Sequence, residues 1–331
     1  MKSRFGAIIA GTGSYTPERR LTNADLEKMV DTTNDWIVQR TGIRERRIAA
    51  ADECTSTLAL EASKRAIAAA GITPDDIDLI VVATLTPDML TPSTACILQE
   101  KLGIKRHIAA FDLGAACSGF VYALVTASQF IATGSHKTVL VVGAETLSRI
   151  VDYQDRSTCI LFGDGAGAAV LKAADDPSRG LQSFLLAADG TGGQFIHVPA
   201  GGSRMAASPQ SLADRQHYLK MNGREVYKFA VTQMTHSLEE AMKACNLQAE
   251  DVRLVVPHQS NLRIISSATE KVGFPPERVY VNIDRYGNTS AASVGIALDE
   301  AMRAGRCGPG DWVILLAFGA GLTWASATIK L

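Results

Sequence analysis

The chain has 331 residues, 47% of them apolar and 20% charged, the composition of a soluble globular protein with core enough for one large domain or two of ordinary size. Thirty-three basic residues stand against 34 acidic ones, a formal net charge of −1. That balance argues against bulk nucleic-acid binding, which draws on a basic surplus.

Met1-Lys2-Ser3-Arg4 leads into about six apolar residues before Gly11-Thr12-Gly13, too few for a signal-peptide core, and predicts a first strand. The apolar run Leu79–Ala83 predicts a strand buried on both faces, and a further strand follows at Ile108–Leu113. The 23 residues from Leu113 to Ser135 carry no charge. Ser118, Gly119, Thr126, Ser128, Gln129 and Thr133 make this run too polar for lipid, so it predicts a helix buried on all sides of a soluble, cytosolic chain. Val139–Val142, Val252–Val256 and Val313–Ala317 are apolar but for Arg253 and complete the buried strands. Asp175-Asp176-Pro177-Ser178-Arg179-Gly180 is the natural boundary, dividing residues 1–176 from 177–331. Residues 197–222 are irregular and Gly/Ser-rich, an insertion long enough to be a functional loop. Leu238, Ala241, Met242 and Cys245 have helical spacing. The cysteines at 54, 96, 117, 159, 245 and 307 form no CxxC pair and none has a histidine at zinc-ligand spacing. Reduced thiols and no metal are expected.

The sequence also repeats. At a shift of 175, Ile72, Asp75, Asp76, Leu79 and Val81 fall on Leu247, Glu250, Asp251, Leu254 and Val256, with Ala66 on Ala241 upstream. At a shift of 174, Ala123-Leu124 falls on Ala297-Leu298, and Val139–Val142 on Val313–Leu316. Any two helix–strand units share some of this pattern. Three blocks in one order point instead to gene duplication, giving a layered α/β architecture with two similar sheets.

Cys117 lies among small residues in Gly114-Ala115-Ala116-Cys117-Ser118-Gly119, between a strand and the start of a helix. A thiol there would feel the positive end of the helix dipole, which favours thiolate; a buried structural cysteine fits the local sequence equally well. His258 follows Val256-Pro257 at a strand end, where α/β sheets bind ligands, yet a satisfied core histidine fits too. Asn288, in Gly287-Asn288-Thr289-Ser290, reads by itself as a helix cap. The duplication puts the Asn288 turn and Cys117 at equivalent places in the two halves, with His258 on the nearby strand edge. A Cys, a His and an Asn then converge.

At these residues the whole chain resembles the β-ketoacyl-acyl carrier protein synthase III enzymes, which have a duplicated thiolase fold of two pseudo-symmetric α/β halves in five layers, α-β-α-β-α. The resemblance rests on Ala115-Ala116-Cys117-Ser118-Gly119, Pro257-His258-Gln259-Ser260-Asn261, Gly287–Ala292 and Phe318-Gly319-Ala320-Gly321-Leu322-Thr323-Trp324, and extends to Trp36–Ile43 and Phe162–Ala168. It implies a decarboxylating Claisen condensation of acyl-CoA with malonyl-acyl carrier protein in a cytoplasmic homodimer, with acyl-CoA a substrate and no cofactor. Related tasks on the same triad are head-to-head acyl condensation and secondary-metabolite assembly; a non-catalytic acyl-binding protein is the remaining alternative. The implied roles are Cys117 as nucleophile, His258 and Asn288 as donors to the decarboxylating thioester, and the backbone of Cys117, Gly319, Ala320 and Gly321 as the other oxyanion site. The family usually has glycine at Ala320; a backbone donor survives that change where φ is negative. Trp36 and Arg156 would sandwich the adenine of coenzyme A, with Arg40 on the Trp36 helix face and Thr32 and Asn261 along the coenzyme arm. Thr91 would border the acyl pocket across the dimer interface. Lys228, Arg263 and Lys271 are candidates to meet the carrier protein, although each also reads as solvated surface charge. The glycines of Phe162–Ala168 read as tight turns rather than a phosphate loop.

Overall fold

In the computed structural model residues 4–331 are described; Met1–Ser3, the start of the lead into the first strand, lie outside them. Nine strands hydrogen-bond in one sheet: β1 (Gly6–Tyr15), β2 (Leu79–Ala83), β3 (Ala109–Leu113), β4 (Thr138–Glu145), β5 (Gly165–Ala174), β6 (Gly180–Ala188), β7 (Val252–Pro257), β8 (Trp312–Gly319) and β9 (Thr323–Lys330). Their order is β7-β8-β9-β6-β1-β5-β4-β2-β3. β1 and β6 are in register at a single pair, Ala7 and Gly180, so two sheets are joined at one point. Outward from that joint the order matches: β1-β5-β4-β2-β3 on one side, β6-β9-β8-β7 on the other, where the fifth strand is reduced to a bridge between Val255 and Val279.

The helices that position the site are α1 (Asn34–Thr41), α2 (Thr55–Ala69), α3 (Gly119–Ala132), α4 (Gly223–Ala244), α5 (Leu262–Lys271) and α6 (Ala292–Arg303). Strand side chains alternate between faces with period two, and each face meets its own helices. Ile80, Val82, Leu140 and Val142 pack on Leu58, Ala62 and Ala66 of α2. Leu79, Val81, Val139 and Val141 turn the other way, onto Phe120 and Leu124 of α3 and Val294 and Leu298 of α6. The same two helices meet Leu254, Val256, Val313 and Leu315 on their far side. Val255, Ile314 and Leu316 then face Leu238 and Ala241 of α4 and Ile265 of α5. Five layers result, with α3 and α6 in the middle one. Burial on both faces is why these strands lack polar alternation.

The run Leu113–Ser135 divides differently from the expectation. Leu113 ends β3, Ala116–Ser118 forms a 3₁₀ turn, and the helix occupies Gly119–Ala132 with Gln129 exposed, so it is buried on most sides rather than all. Among the described residues no helix is long and apolar enough to cross a membrane. The glycines of Phe162–Ala168 serve close packing: a Cβ on Gly163 would lie 2.3 Å from the Tyr286 carbonyl oxygen, and one on Gly167 would lie 2.4 Å from the backbone of Gly295 in α6. Asp164 is fully buried and accepts from the N–H of Ala49 and from the N–H and hydroxyl of Ser148, so it is part of this junction. Residues 197–222 hold a short helix, Pro209–Ala213, and end in a two-stranded ribbon, Ile196–His197 with Lys220–Met221.

Candidate active site

Cys117, His258 and Asn288 line one cavity of about 880 Å³. Its walls are mostly apolar: Leu85, Leu147, Ile160, Leu161, Ile264 and Phe318 surround the three polar side chains, and the ribbon adds Ile196, Val198, Leu219 and Met221.

Cys117 sits in the 3₁₀ turn before α3, after Ala116 at φ 46°. That left-handed conformation is costly for alanine and is held by the packing around it. Gly319, at the end of β8, makes room: a Cβ there would lie 2.7 Å from the Cys117 nitrogen. The residue is half-buried on the wall of a deep cavity, and loss of bulk water pushes the thiol up to about 12, with Ser290 acting against the shift and Glu145 adding to it. Burial thus opposes the thiolate that a helix terminus favours. In this apolar setting burial outweighs the helix terminus.

His258 follows β7 with its N–H on the Leu316 carbonyl at 2.7 Å, its ring edge-on to Phe318, and 1% exposure. Burial pushes its pKa down to about 3, so the imidazole is neutral. Nδ1 lies 2.6 Å from Ser293 Oγ on α6. Ser293 Oγ also accepts from the Gln259 N–H at 3.4 Å. In the tautomer in which the Ser293 hydroxyl donates to Nδ1, the hydrogen of the neutral ring is on Nε2.

Asn288 is not a helix cap; α6 starts at Ala292 with Ala291 as its cap residue. Its Oδ1 accepts from the Ser290 N–H at 2.9 Å, so its amide N–H₂ is free to donate to the cavity. The backbone of Asn288 bridges to Leu161 and Gly163, fixing the turn on the junction described above. The 174-residue shift lays Ser290 on Ala116, and both take φ near 47°, at 48° and 46°. Ala291 is therefore the counterpart of Cys117, and Asn288 that of Gly114, three residues earlier than the cysteine.

The other predicted residues divide. Gly319 and Ala320 line the cavity and Gly321 does not; Gly321 takes φ 73° whereas Ala320 is outside the left-handed region, so alanine is unstrained there. Trp36 and Arg40 on α1 and Arg156 come together, with the guanidinium carbons 5.4 and 5.0 Å from the Trp36 ring centre. A base between Trp36 and Arg156 needs about 7 Å, two stacking distances, so Arg156 has to swing outward from its Asp31 contacts. Thr32 Oγ1 is buried without a hydrogen-bond partner. Asn261 lines the cavity while capping α5 through the Arg263 N–H, and it donates to the Arg40 carbonyl. Lys228, paired with Glu225, and Arg263 stand on the cavity wall with Arg224, which sequence reasoning missed. Lys271 is at the far end of α5, roughly 12 Å along the helix from Arg263. Thr91 is exposed beside exposed Met89 and Leu90 and does not line the cavity of its own chain. The cysteines are all free thiols. Glu145 and Ser293 are polar residues of the site that no motif announced.

Fold and site together define a thiolase-fold condensing enzyme. Residues 111–190 match the family 3-oxoacyl-[acyl-carrier-protein] synthase III, and residues 242–331 match its C-terminal family. A β-ketoacyl-[acyl-carrier-protein] synthase III of Caldanaerobacter subterraneus is 54% identical over 330 residues, covering 100% of this chain and 99% of that one. The synthase III of Thermus thermophilus has 47% identity and a TM-score of 0.90 over 98% of this chain and 99% of that one. The priming β-ketosynthase of the R1128 polyketide pathway has 37% identity and a TM-score of 0.91, covering 100% of this chain and 98% of that one. The chain belongs to the β-ketoacyl-[acyl-carrier-protein] synthase III family.

Proposed function

We propose that the chain, an acyltransferase of this family, initiates fatty acid synthesis through Cys117, His258 and Asn288. In the first half-reaction the Cys117 sulfur attacks the thioester of acyl-CoA, takes the acyl group and releases coenzyme A. In the second, malonyl-acyl carrier protein enters the same cavity and loses carbon dioxide, and the carbanion attacks the acyl-cysteine. The negative charge that builds on the malonyl thioester oxygen is met by two neutral N–H donors, His258 Nε2 and Asn288 Nδ2. The observation that carries this reading is the fixing of both donors from behind, His258 by Ser293 and Asn288 by the Ser290 N–H. Backbone N–H groups at Cys117 and at Gly319 or Ala320 serve the other oxyanion.

The coenzyme arm runs over Asn261 and Thr32 to the Trp36–Arg156 pair, and Arg224, Lys228 and Arg263 offer an acidic carrier protein a basic cavity mouth. The reaction calls for no cofactor. The half-buried edge strand β3 closes one end of the sheet, and isologous pairing there would give a cytoplasmic homodimer that lends Thr91 to the partner's acyl pocket. The halves 1–176 and 177–331 are the units we assign to the duplication. His258→Ala and Asn288→Ala test the site: acylation of Cys117 by acyl-CoA, read by intact-protein mass, remains, while condensation falls by about 10²–10³. Condensation at the wild-type rate in either variant refutes the role of that residue.

A further inference from the structure

The two side chains assigned to the decarboxylating thioester come from different segments, His258 from the end of β7 and Asn288 from the turn that ends residues 279–288. The start of that second segment still pairs with β7, through the Val255–Val279 bridge and the Tyr280 N–H on the Val255 carbonyl at 2.9 Å. Past Tyr280 this backbone pairing stops among the described residues, and the side chain of Gln259 takes over. Gln259 Nε2 donates to the Pro257 carbonyl at 2.8 Å and to the Tyr280 carbonyl at 3.0 Å, and Oε1 accepts from the Asn282 N–H at 2.9 Å. The residue is 1% exposed, and both amide hydrogens and the amide oxygen are used. Packing alone would be met by a methionine, without the desolvation of an amide. Asn282, also buried, donates from Nδ2 to Glu300 Oε2 at 2.8 Å, and the Tyr286 hydroxyl donates to Glu300 Oε1 at 2.6 Å. Glu300 lies on α6 seven residues after Ser293, about two turns along one face. α6 therefore steadies His258 through Ser293 and the lead-in to Asn288 through Glu300, and Gln259 closes the third side.

We propose that Gln259 is a positioning residue for decarboxylation: its amide sets the spacing between His258 and Asn288, so that both donors reach one thioester oxygen. The inference rests on the acyltransferase reading above. Gln259 lies outside the cavity lining and acts only through its neighbours, Pro257 beside His258 on one side and Tyr280 and Asn282 on the other. Two donors serve one oxygen when each lies about 2.7–3.1 Å from it, and a misplacement of about 0.5 Å takes one of them out of range. Attack by Cys117 on acyl-CoA uses neither donor, so the role of Gln259 is confined to the second half-reaction.

Gln259→Glu keeps the shape of the side chain and the acceptor for Asn282, but turns an oxygen toward the Pro257 and Tyr280 carbonyls where two N–H groups stood. Gln259→Met keeps the bulk and removes all three bonds; it adds no charge to the core and carries the test where Gln259→Glu does not fold. Single-turnover acylation of Cys117 at saturating acyl-CoA, read by intact-protein mass, stays within about threefold of wild type in these variants. Decarboxylation of malonyl-acyl carrier protein by the acylated enzyme falls by about 10–10² in kcat, less than the loss of a whole donor, while its KM is unchanged. Adding either substitution to Asn288→Ala slows decarboxylation no further, because a donor already removed cannot be misplaced. Decarboxylation within about threefold of wild type, an equal loss in both half-reactions, or an additive loss on top of Asn288→Ala overturns the positioning role alone. Wild-type enzyme whose Cys117 takes no acyl group from any acyl-CoA overturns the acyltransferase reading with it.

Discussion

Ser293→Ala removes a single oxygen and tests how His258 is held. The Oγ–Nδ1 distance of 2.6 Å joins two side chains that are 2% and 1% exposed, so no water replaces the lost hydroxyl without opening the core. An unsatisfied buried acceptor costs about 1–3 kcal/mol, and a small void adds to that. The larger consequence is for the tautomer. Without the Ser293 proton nothing confines the hydrogen to Nε2, and a ring protonated on Nδ1 turns a lone pair toward the enolate oxygen. The loss lies between that of a tautomer mixture and that of a whole oxyanion donor, about 10–10² in condensation. Acylation of Cys117 needs no donor from His258 and keeps its rate. The assay pairs single-turnover acylation by intact-protein mass with decarboxylation of malonyl-acyl carrier protein by the acylated enzyme. Ser293→Thr, which keeps the hydroxyl, restores decarboxylation. Equal loss in both half-reactions, or none in decarboxylation, refutes the reasoning.

Two further outcomes follow from the same geometry. The His258 pKa is held at about 3 against 6.5 in the unfolded chain, so its contribution to stability is whole above pH 6.5 and is lost as pH falls toward 3; thermal melts of His258→Gln show a weaker dependence than wild type across that window. Thr91→Phe shifts the acyl-CoA profile toward acetyl, because a ring in place of threonine fills space for several methylenes worth about 0.8 kcal/mol each when buried. An unchanged ratio of acetyl-, hexanoyl- and decanoyl-CoA rates removes Thr91 as the gate.

The layered fold is legible in the sequence because its strands are buried on both faces and read as largely apolar runs, and because the repeat survives at shifts of 175 and 174. Cys117, His258 and Asn288 stand out since each follows a strand or sits among small residues, where a polar group has few structural uses. Glu145 has no such signature. It is one glutamate after an apolar strand, and only the loop 84–86 folding over it shows that it is buried. Ser293 lies within a helix pattern that gives no sign of the imidazole beside it. Asn288 reads as a cap because Asn before a helix does so often; the left-handed Ser290 moves the helix start to Ala292 and frees the amide. The burial that pushes the Cys117 thiol up is hidden for a related reason, since a sequence places a cysteine at a helix start without showing the apolar cavity around it. Thr91 is exposed and lies outside the cavity of its own chain, so nothing in the fold of one subunit marks it.

Duplication also accounts for the place of Glu145. The shift that lays Val139 on Val313 lays Glu145 on Gly319, the last residues of β4 and β8. Each strand end packs on the turn contributed by the opposite half: Gly319 against Cys117, and Gly143 against the carbonyl of Ala291 with Glu145 bonded to Ser290. The two turns share their left-handed residue, Ala116 in one and Ser290 in the other. Two equivalent corners therefore face each other across the middle layer and have diverged. In one corner glycine clears space beside a cysteine that lines the cavity. In the other an alanine replaces the cysteine, and a glutamate fills the space that glycine leaves open opposite. The serine of the second corner lines the same cavity. A cavity cysteine and a buried carboxyl thus come from a single ancestral geometry, at the contact between the two halves that completes the core.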